Sequence, residues 1–212
     1  MIIRQLALAL SLTLAPLVSV ARGDDSDGSS KFSIEGAVLT YDTEIAEDGE
    51  IEDDDVEVML ALLQANPGIT TLVLNSGGGS VWAGNEMSRI ALDFGLNTEV
   101  NGECSSSCVN IFLAGDRRKM RRGSKIGFHS RSWSPSATKR YYDRWREVEN
   151  WETPFDFASW IYRDTQAEMH EDLSYVTSRG VDPQFAIRMI APRDKMWFPR
   201  REILKEAGFL TE

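Results

Sequence analysis

The stretch TTLVLNSGGGS, residues 70–80, joins a short apolar run directly to three consecutive glycines. The unbroken apolar centre of residues 70–76 is typical of a strand that a parallel sheet buries on both faces. Apolar residues then recur at the spacing of one helix face, at Met87, Ile90, Ala91 and Phe94. We therefore predict a strand, a glycine turn and an amphipathic helix that ends at Gly95.

The segments on either side continue this alternation of strand and helix. We predict strands over 36–45, over 96–102 and within 121–130, and a third, apolar helix that residues 104–115 open. A first helix precedes the glycine turn, with apolar residues at Val56, Met59, Leu60 and Leu63. The order β-α-β-α-β-α-β predicts an α/β domain with right-handed crossovers and a largely parallel sheet.

The chain divides into a leader, a linker and one domain. Residues 1–21 have a basic start, an apolar run and small residues before the expected cleavage site, which is the layout of a signal peptide. Residues 22–31 are polar and predict a disordered linker, and 32–212 form the α/β domain. A cleaved signal predicts a periplasmic or secreted protein with no stable membrane insertion.

Residues 131–190 read as a helical insertion in that domain and hold four of the six tryptophans. Two interpretations stay open for it. The insertion is either packed on the core, or it is a lid or subunit interface over the site.

Composition excludes several classes of function. The formal net charge of −10 argues against a nucleic-acid partner. The two cysteines and two histidines lack ligand spacing, so we predict no metal site. The glycine run lacks a P-loop lysine and dinucleotide-binding spacing, so we predict no cofactor. The basic run 116–122 is interpreted as a solvated loop, or as pairing with the acidic loop 46–55 of a neighbouring subunit.

Two turns carry the candidate chemistry, NSGGG (75–79) and GECSSSC (102–108). Both follow a predicted strand and open a helix, where α/β sheets bind ligands. Helix N-termini and glycines offer unshielded backbone N–H groups, which suit an oxyanion hole worth about 3–4 kcal/mol per donor. A serine nucleophile also needs a base. His129 ends another predicted strand, whereas His170 reads as a surface residue.

Three stretches resemble a known family: LVLNSGGGSVWAG (72–84), VNGECSSSCVNIFLAG (100–115) and SKIGFHS (124–130). They look like the proteolytic subunit of the Clp protease, in the Clp/crotonase superfamily. They look more closely like exported bacterial Clp-like proteins in which a cysteine pair brackets the serine turn. A weaker match follows at 197–210. The resemblance implies a fold of repeated β-β-α/β-α-β units and a possible homo-oligomer.

The resemblance also implies roles for individual residues. The nucleophile falls on Ser106 and the general base on His129. The oxyanion donors fall on the backbone N–H groups of Gly78, near Gly79, and of Ser107.

The third member of the implied triad is where this sequence departs from the family. A simple alignment puts Pro192 at the place of the acid. Asp194 is the nearest carboxylate and is our prediction, with Asp182 and Asp164 as alternatives.

The cysteines that flank Ser106 allow three interpretations. In an exported protein, a Cys104–Cys108 disulfide is the default expectation, and it requires Cys104 to lie outside the helix. Alternatively, one of the thiols is the nucleophile, activated by the helix start. The three serines between them could also be simple helix caps.

Together these features predict an exported serine hydrolase, a peptidase that acts on a peptide or protein substrate. The alternative is a non-catalytic binding or scaffold protein of the same fold. A thioester-binding crotonase-type enzyme is a third reading, but no nucleotide-recognition feature is evident.

Overall fold

The computed structural model describes residues 29–46 and 49–212. The predicted signal peptide lies outside the described residues, as does most of the predicted linker. The last linker residues, Ser29–Lys31, form a short 3₁₀ turn, and the Lys31 side chain is buried. Its ammonium group donates to the Glu50 carbonyl and pairs with the carboxylates of Glu52 and Asp55.

Six strands of the described chain form one sheet, in the order β1-β2-β3-β4-β5 with β6 also paired to β4. They are β1 (Phe32–Glu35), β2 (Val38–Asp42), β3 (Thr71–Ser76), β4 (Asn97–Ser105), β5 (Arg118–Met120) and β6 (Lys125–Gly127). The hairpin β1–β2 is antiparallel and every other pair is parallel. The predicted α/β class with a largely parallel sheet is confirmed.

Seven α-helices follow or connect these strands in the described residues. They are α1 (Asp55–Ala65), α2 (Val81–Asp93), α3 (Cys108–Leu113), α4 (Pro135–Trp145), α5 (Pro154–Ser178), α6 (Pro183–Met189) and α7 (Arg201–Glu206). None of the described helices is long and apolar enough to cross a membrane. The elements before α3 run β-β-α and then β-α-β.

The core lies between the sheet and its helices. Three consecutive β3 residues, Leu72 to Leu74, are buried, as expected for a strand covered on both faces. Phe112 of α3 stacks on Phe209 near the C-terminus, with ring centroids 5.6 Å apart. The C-terminal segment therefore completes the core beneath α3.

A bulge in β4 sets the position of the serine turn. Leu74 pairs with Val100, but Ser76 pairs with Cys104, so β4 has two additional residues at this point. The Asn75 side chain accepts a hydrogen bond from the Glu103 backbone N–H at 2.9 Å and fixes the bulge. Before the bulge β4 pairs with β5, and after it with β6.

The strand predicted within 121–130 is confirmed as β6, Lys125–Gly127. Two other details of the predicted elements are wrong. A separate strand, β5, lies inside the basic run 116–122. That run is therefore not a solvated loop, because Arg118 and Met120 are buried. The third helix begins at Cys108 rather than at residue 104, because β4 continues through its bulge to Ser105.

Candidate active site

Ser106 occupies the turn between β4 and α3 in a left-handed backbone conformation, with φ of 55°. That conformation costs a non-glycine residue about 1–3 kcal/mol and persists only where the surroundings hold it. The Ser106 N–H donates to the Gly127 carbonyl of β6 at 3.3 Å. Cys104 and Cys108 form a disulfide across the turn, as predicted, with both residues buried.

His129 follows β6 and faces the serine. Its Nε2 lies 2.8 Å from Ser106 Oγ, and its Nδ1 lies 3.0 Å from the Ser130 carbonyl oxygen. A carbonyl oxygen only accepts hydrogen bonds, so Nδ1 carries the proton and donates. Nε2 then has a free lone pair and accepts from the Ser106 hydroxyl, which is the tautomer that a general base requires.

The glycine turn lies against the serine turn. Gly78 has φ of 106°, and a Cβ there would lie 2.6 Å from Ser106 Cβ, so only glycine allows this approach. Gly79, the next residue, is held on its other side by Ile51. The Ile51 N–H donates to the Gly78 carbonyl at 2.8 Å, and the Ile51 carbonyl accepts from the Ser80 N–H at 2.8 Å.

The predicted oxyanion donors differ in their availability. The Gly78 N–H donates to Ser76 Oγ at 3.1 Å. The backbone N–H groups of Gly79 and Ser107 donate to no acceptor in the described part of the chain. Of the predicted donors, these two N–H groups therefore have, within the described ranges, no hydrogen bond that an incoming oxyanion would have to break.

No carboxylate forms an ion pair or hydrogen bond with His129 within the described residues. Asp194 is exposed and forms neither kind of contact with any described residue. Asp182 instead caps α6, accepting from Phe185 N–H at 2.9 Å. Asp164 likewise makes no hydrogen bond to His129, and Pro192 lines the cavity beside the serine. The acceptor on Nδ1 is thus a backbone carbonyl.

A cavity of about 270 Å³ opens beside Ser106 and His129. Helices α5 and α6 of the predicted insertion form its far wall. Its apolar lining includes Val81, Val109, Phe128, Leu173, Val176 and Met189. The lining therefore offers an apolar surface beside the serine, where the side chain of a ligand can pack.

One charged cluster on the cavity rim was not anticipated from the sequence. The Arg131 guanidinium pairs with Asp172 at 2.9 Å and with Glu168 at 3.4 Å, and all three residues line the cavity. Burial raises the pKa of the Asp172 carboxyl above its ordinary value, and the positive charge of Arg131 opposes that rise. The spacing of Glu168 and Asp172, four residues apart on α5, was the available signal for this cluster.

A metal centre finds no support in the described residues, where no group of three or more His, Cys, Asp or Glu side chains is placed to hold an ion. The groups that the structure brings together beside the cavity are a serine hydroxyl, an imidazole and backbone N–H groups.

The chain is similar to known proteins in structure rather than in sequence. No protein-family model matches it, and no curated protein matches its sequence. A variant of ClpP1 from Listeria monocytogenes superposes with a TM-score of 0.54 at 16% identity. The match covers 84% of this chain and 90% of the Listeria chain. The protein therefore has a Clp protease-like fold, which confirms the resemblance of the motifs at the level of the fold.

Proposed function

We propose that the protein is an exported serine hydrolase that cleaves peptides, with Ser106 as nucleophile and His129 as general base. The observation that carries the proposal is the 2.8 Å hydrogen bond between Ser106 Oγ and a His129 ring whose other nitrogen is held as a donor. A serine hydroxyl needs such a base within hydrogen-bond reach to become nucleophilic.

The reaction follows from this geometry. Ser106 Oγ attacks a carbonyl carbon and transfers its proton to His129 Nε2. The N–H groups of Gly79 and Ser107 bind the oxyanion that forms, each contributing about 3–4 kcal/mol to the transition state. Gly78 N–H joins them if it exchanges its Ser76 partner. His129 then protonates the leaving group, and water hydrolyses the acyl-enzyme by the reverse steps.

A peptide or protein is the substrate class that suits the cavity best. The apolar wall under α5 and α6 accommodates a side chain while the scissile carbonyl lies at Ser106. The Clp protease-like fold supports the same class, and it makes a homo-oligomer part of the proposal. We also propose that the protein is periplasmic or secreted, and the Cys104–Cys108 disulfide supports this because disulfides persist in oxidising compartments.

A fluorophosphonate probe tests the proposal, because it reacts covalently with activated serines. The mature chain is expected to be labelled at Ser106, as mapped by mass spectrometry. Ser106→Ala should abolish the adduct, and His129→Ala should slow labelling by at least about 100-fold, the usual contribution of a general base. His170→Ala is the matched control and should label like wild type.

The alternative is a non-catalytic binding protein of the same fold. The observation in its favour is the absence of a carboxylate on His129 within the described residues. A folded wild-type chain that takes up no probe, while still binding a peptide in the cavity, would establish that alternative.

A further inference from the structure

The segment that carries His129 is anchored on both sides. Before the histidine, Phe128 exchanges two backbone hydrogen bonds with Trp197, at 2.9 and 2.8 Å. After it, the Arg131 guanidinium reaches across the cavity rim to α5. The Ser130 carbonyl that accepts from His129 Nδ1 lies between the histidine and this second anchor.

Of the two α5 carboxylates that pair with Arg131, Asp172 holds it more firmly. Its side chain is 25% exposed and lies 2.9 Å from Nη2. Glu168 is 51% exposed and lies 3.4 Å from Nη1. Exposed ion pairs contribute little because water screens them, so the less exposed and shorter pair dominates.

We propose that Asp172 is the carboxylate that serves this site, as a positioning residue that acts through Arg131 and the Ser130 carbonyl rather than by touching His129. The inference rests on the proposed hydrolase function. In a Ser-His-Asp triad a carboxylate accepts the hydrogen bond from Nδ1, whereas in this chain the Ser130 carbonyl accepts it. The position of that carbonyl depends on the conformation of the loop that contains Ser130. The ion pair to α5 fixes that loop.

The contact also makes the insertion part of the site. Asp172 lies on α5, so the position of the His129 ring depends on how α5 packs over the cavity. A small shift of the Ser130 carbonyl weakens its bond to Nδ1 steeply, because hydrogen bonds depend strongly on angle and distance. Nε2 then loses its orientation toward Ser106.

The experiment compares Asp172→Asn, Asp172→Glu and the matched control Glu171→Gln in the full mature chain. Glu171 carries the same charge next to Asp172, but its side chain is exposed and makes no hydrogen bond or ion pair within the described residues. The rate of fluorophosphonate labelling at Ser106 is measured for each variant beside its melting temperature. We expect Asp172→Asn to lower the rate about 10-fold or more, since small misplacements at a reacting centre are costly. Asp172→Glu should recover part of it, and Glu171→Gln should match wild type.

A charge swap separates positioning from direct contact. Arg131→Asp combined with Asp172→Arg restores an ion pair with reversed charges. Recovery of labelling relative to Arg131→Asp alone supports action through the bridge. Failure of the swap, with recovery by Asp172→Glu, would overturn the proposed route, because it would mean that the carboxylate itself meets His129.

The tautomer of His129, measured by NMR, tests the positioning role of Asp172 even if the fluorophosphonate probe does not react. Long-range ¹H–¹⁵N correlation spectra report which imidazole nitrogen carries the proton, and exposed His170 serves as internal reference. In wild type His129 is expected as the Nδ1–H tautomer, and in Asp172→Asn as a mixture. An unlabelled wild type would refute the hydrolase, whereas an unchanged His129 tautomer in Asp172→Asn would refute the positioning role.

Discussion

At the scale of single residues, the site depends on one serine in an unfavourable conformation and one glycine that makes room for it. Ser106 has φ of 55°, a value that few non-glycine residues adopt. Three features hold the turn in this conformation: the hydrogen bond to the Gly127 carbonyl, the disulfide and the close approach of Gly78. In return, the hydroxyl lies where His129 Nε2 can accept its proton.

Replacing Gly78 with alanine is therefore expected to abolish labelling of Ser106. The new Cβ would lie 2.6 Å from Ser106 Cβ and 2.8 Å from the Ser105 carbonyl oxygen, at a φ that alanine disfavours. We expect the free energy of unfolding to fall by at least about 1 kcal/mol, the cost of a left-handed non-glycine residue.

Gly77→Ala is the control from the same glycine run. A Cβ at Gly77 would meet only Glu44 Oε1, at 3.6 Å, which is an ordinary contact. Probe labelling and urea unfolding of the two variants give the comparison. Equal behaviour of Gly77→Ala and Gly78→Ala would show that the approach of the two turns is not needed.

At the scale of elements, local patterns predicted what local interactions determine. Strand β3 and the helix after its glycine turn were predictable from short stretches of sequence. A strand buried on both faces gives a continuous apolar run, and an amphipathic helix gives apolar residues at helical spacing. The rule that sheet ends gather functional groups led to the serine turn and to His129, and the resemblance to the Clp protease subunit selected Ser106 within that turn. The structure places Ser106 Oγ 2.8 Å from His129 Nε2.

The errors arose where distant residues decide the structure. β4 extends to Ser105 because the Asn75 side chain of β3 holds its bulge, which no periodicity in β4 reveals. The run 116–122 looked solvated because it is basic, yet it pairs with β4 as β5. The Arg131–Asp172 pair joins residues 41 positions apart, so no local sequence pattern predicts that these two side chains meet.

The disulfide between β4 and α3 gives a prediction at this scale. Cys104→Ala with Cys108→Ala is expected to lower the free energy of unfolding by about 2 kcal/mol, because the closed loop is short and restrains the unfolded chain little. The labelling rate of the folded variant should fall as well, since the bridge spans the turn that holds Ser106.

The two effects distinguish a positioning clamp from a simple staple. Urea unfolding measures the first effect, and labelling at low urea, where the variant is fully folded, measures the second. A double variant that loses stability but labels at the wild-type rate would leave the bridge with a stabilising role alone.

At the scale of the whole molecule, the buried Arg118 of β5 connects the sheet, the end of α5 and the C-terminal segment. The Arg118 guanidinium donates to the carbonyls of Phe209, Gly115, Arg179 and Gly208, at distances of 2.9 to 3.2 Å. Burial lowers the pKa of Arg118, and the nearby charge of Arg179 lowers it further.

Arg179, at the end of α5, in turn donates to the carbonyls of Leu113, Ala114 and Gly115 at the end of α3. The helix that opens at the serine turn is thereby tied at its other end to the helix that carries Asp172.

Arg118→Met should consequently destabilise the entire domain. The substitution leaves the carbonyls of Phe209, Arg179 and Gly208 without their donor, whereas Gly115 keeps its hydrogen bond from Arg179. An unsatisfied buried polar group costs about 1–3 kcal/mol, so we expect the free energy of unfolding to fall by at least about 3 kcal/mol in urea. Arg122→Met is the control from the same basic run. Arg122 is exposed, and its replacement should change stability by no more than about 0.5 kcal/mol. If the run served only as a solvated basic surface, the two variants would unfold at the same urea concentration. We expect Arg118→Met to unfold in a single cooperative transition at lower urea, with the cavity helices and the sheet unfolding together. The reason is that the Arg118 hydrogen bonds join these parts of the molecule.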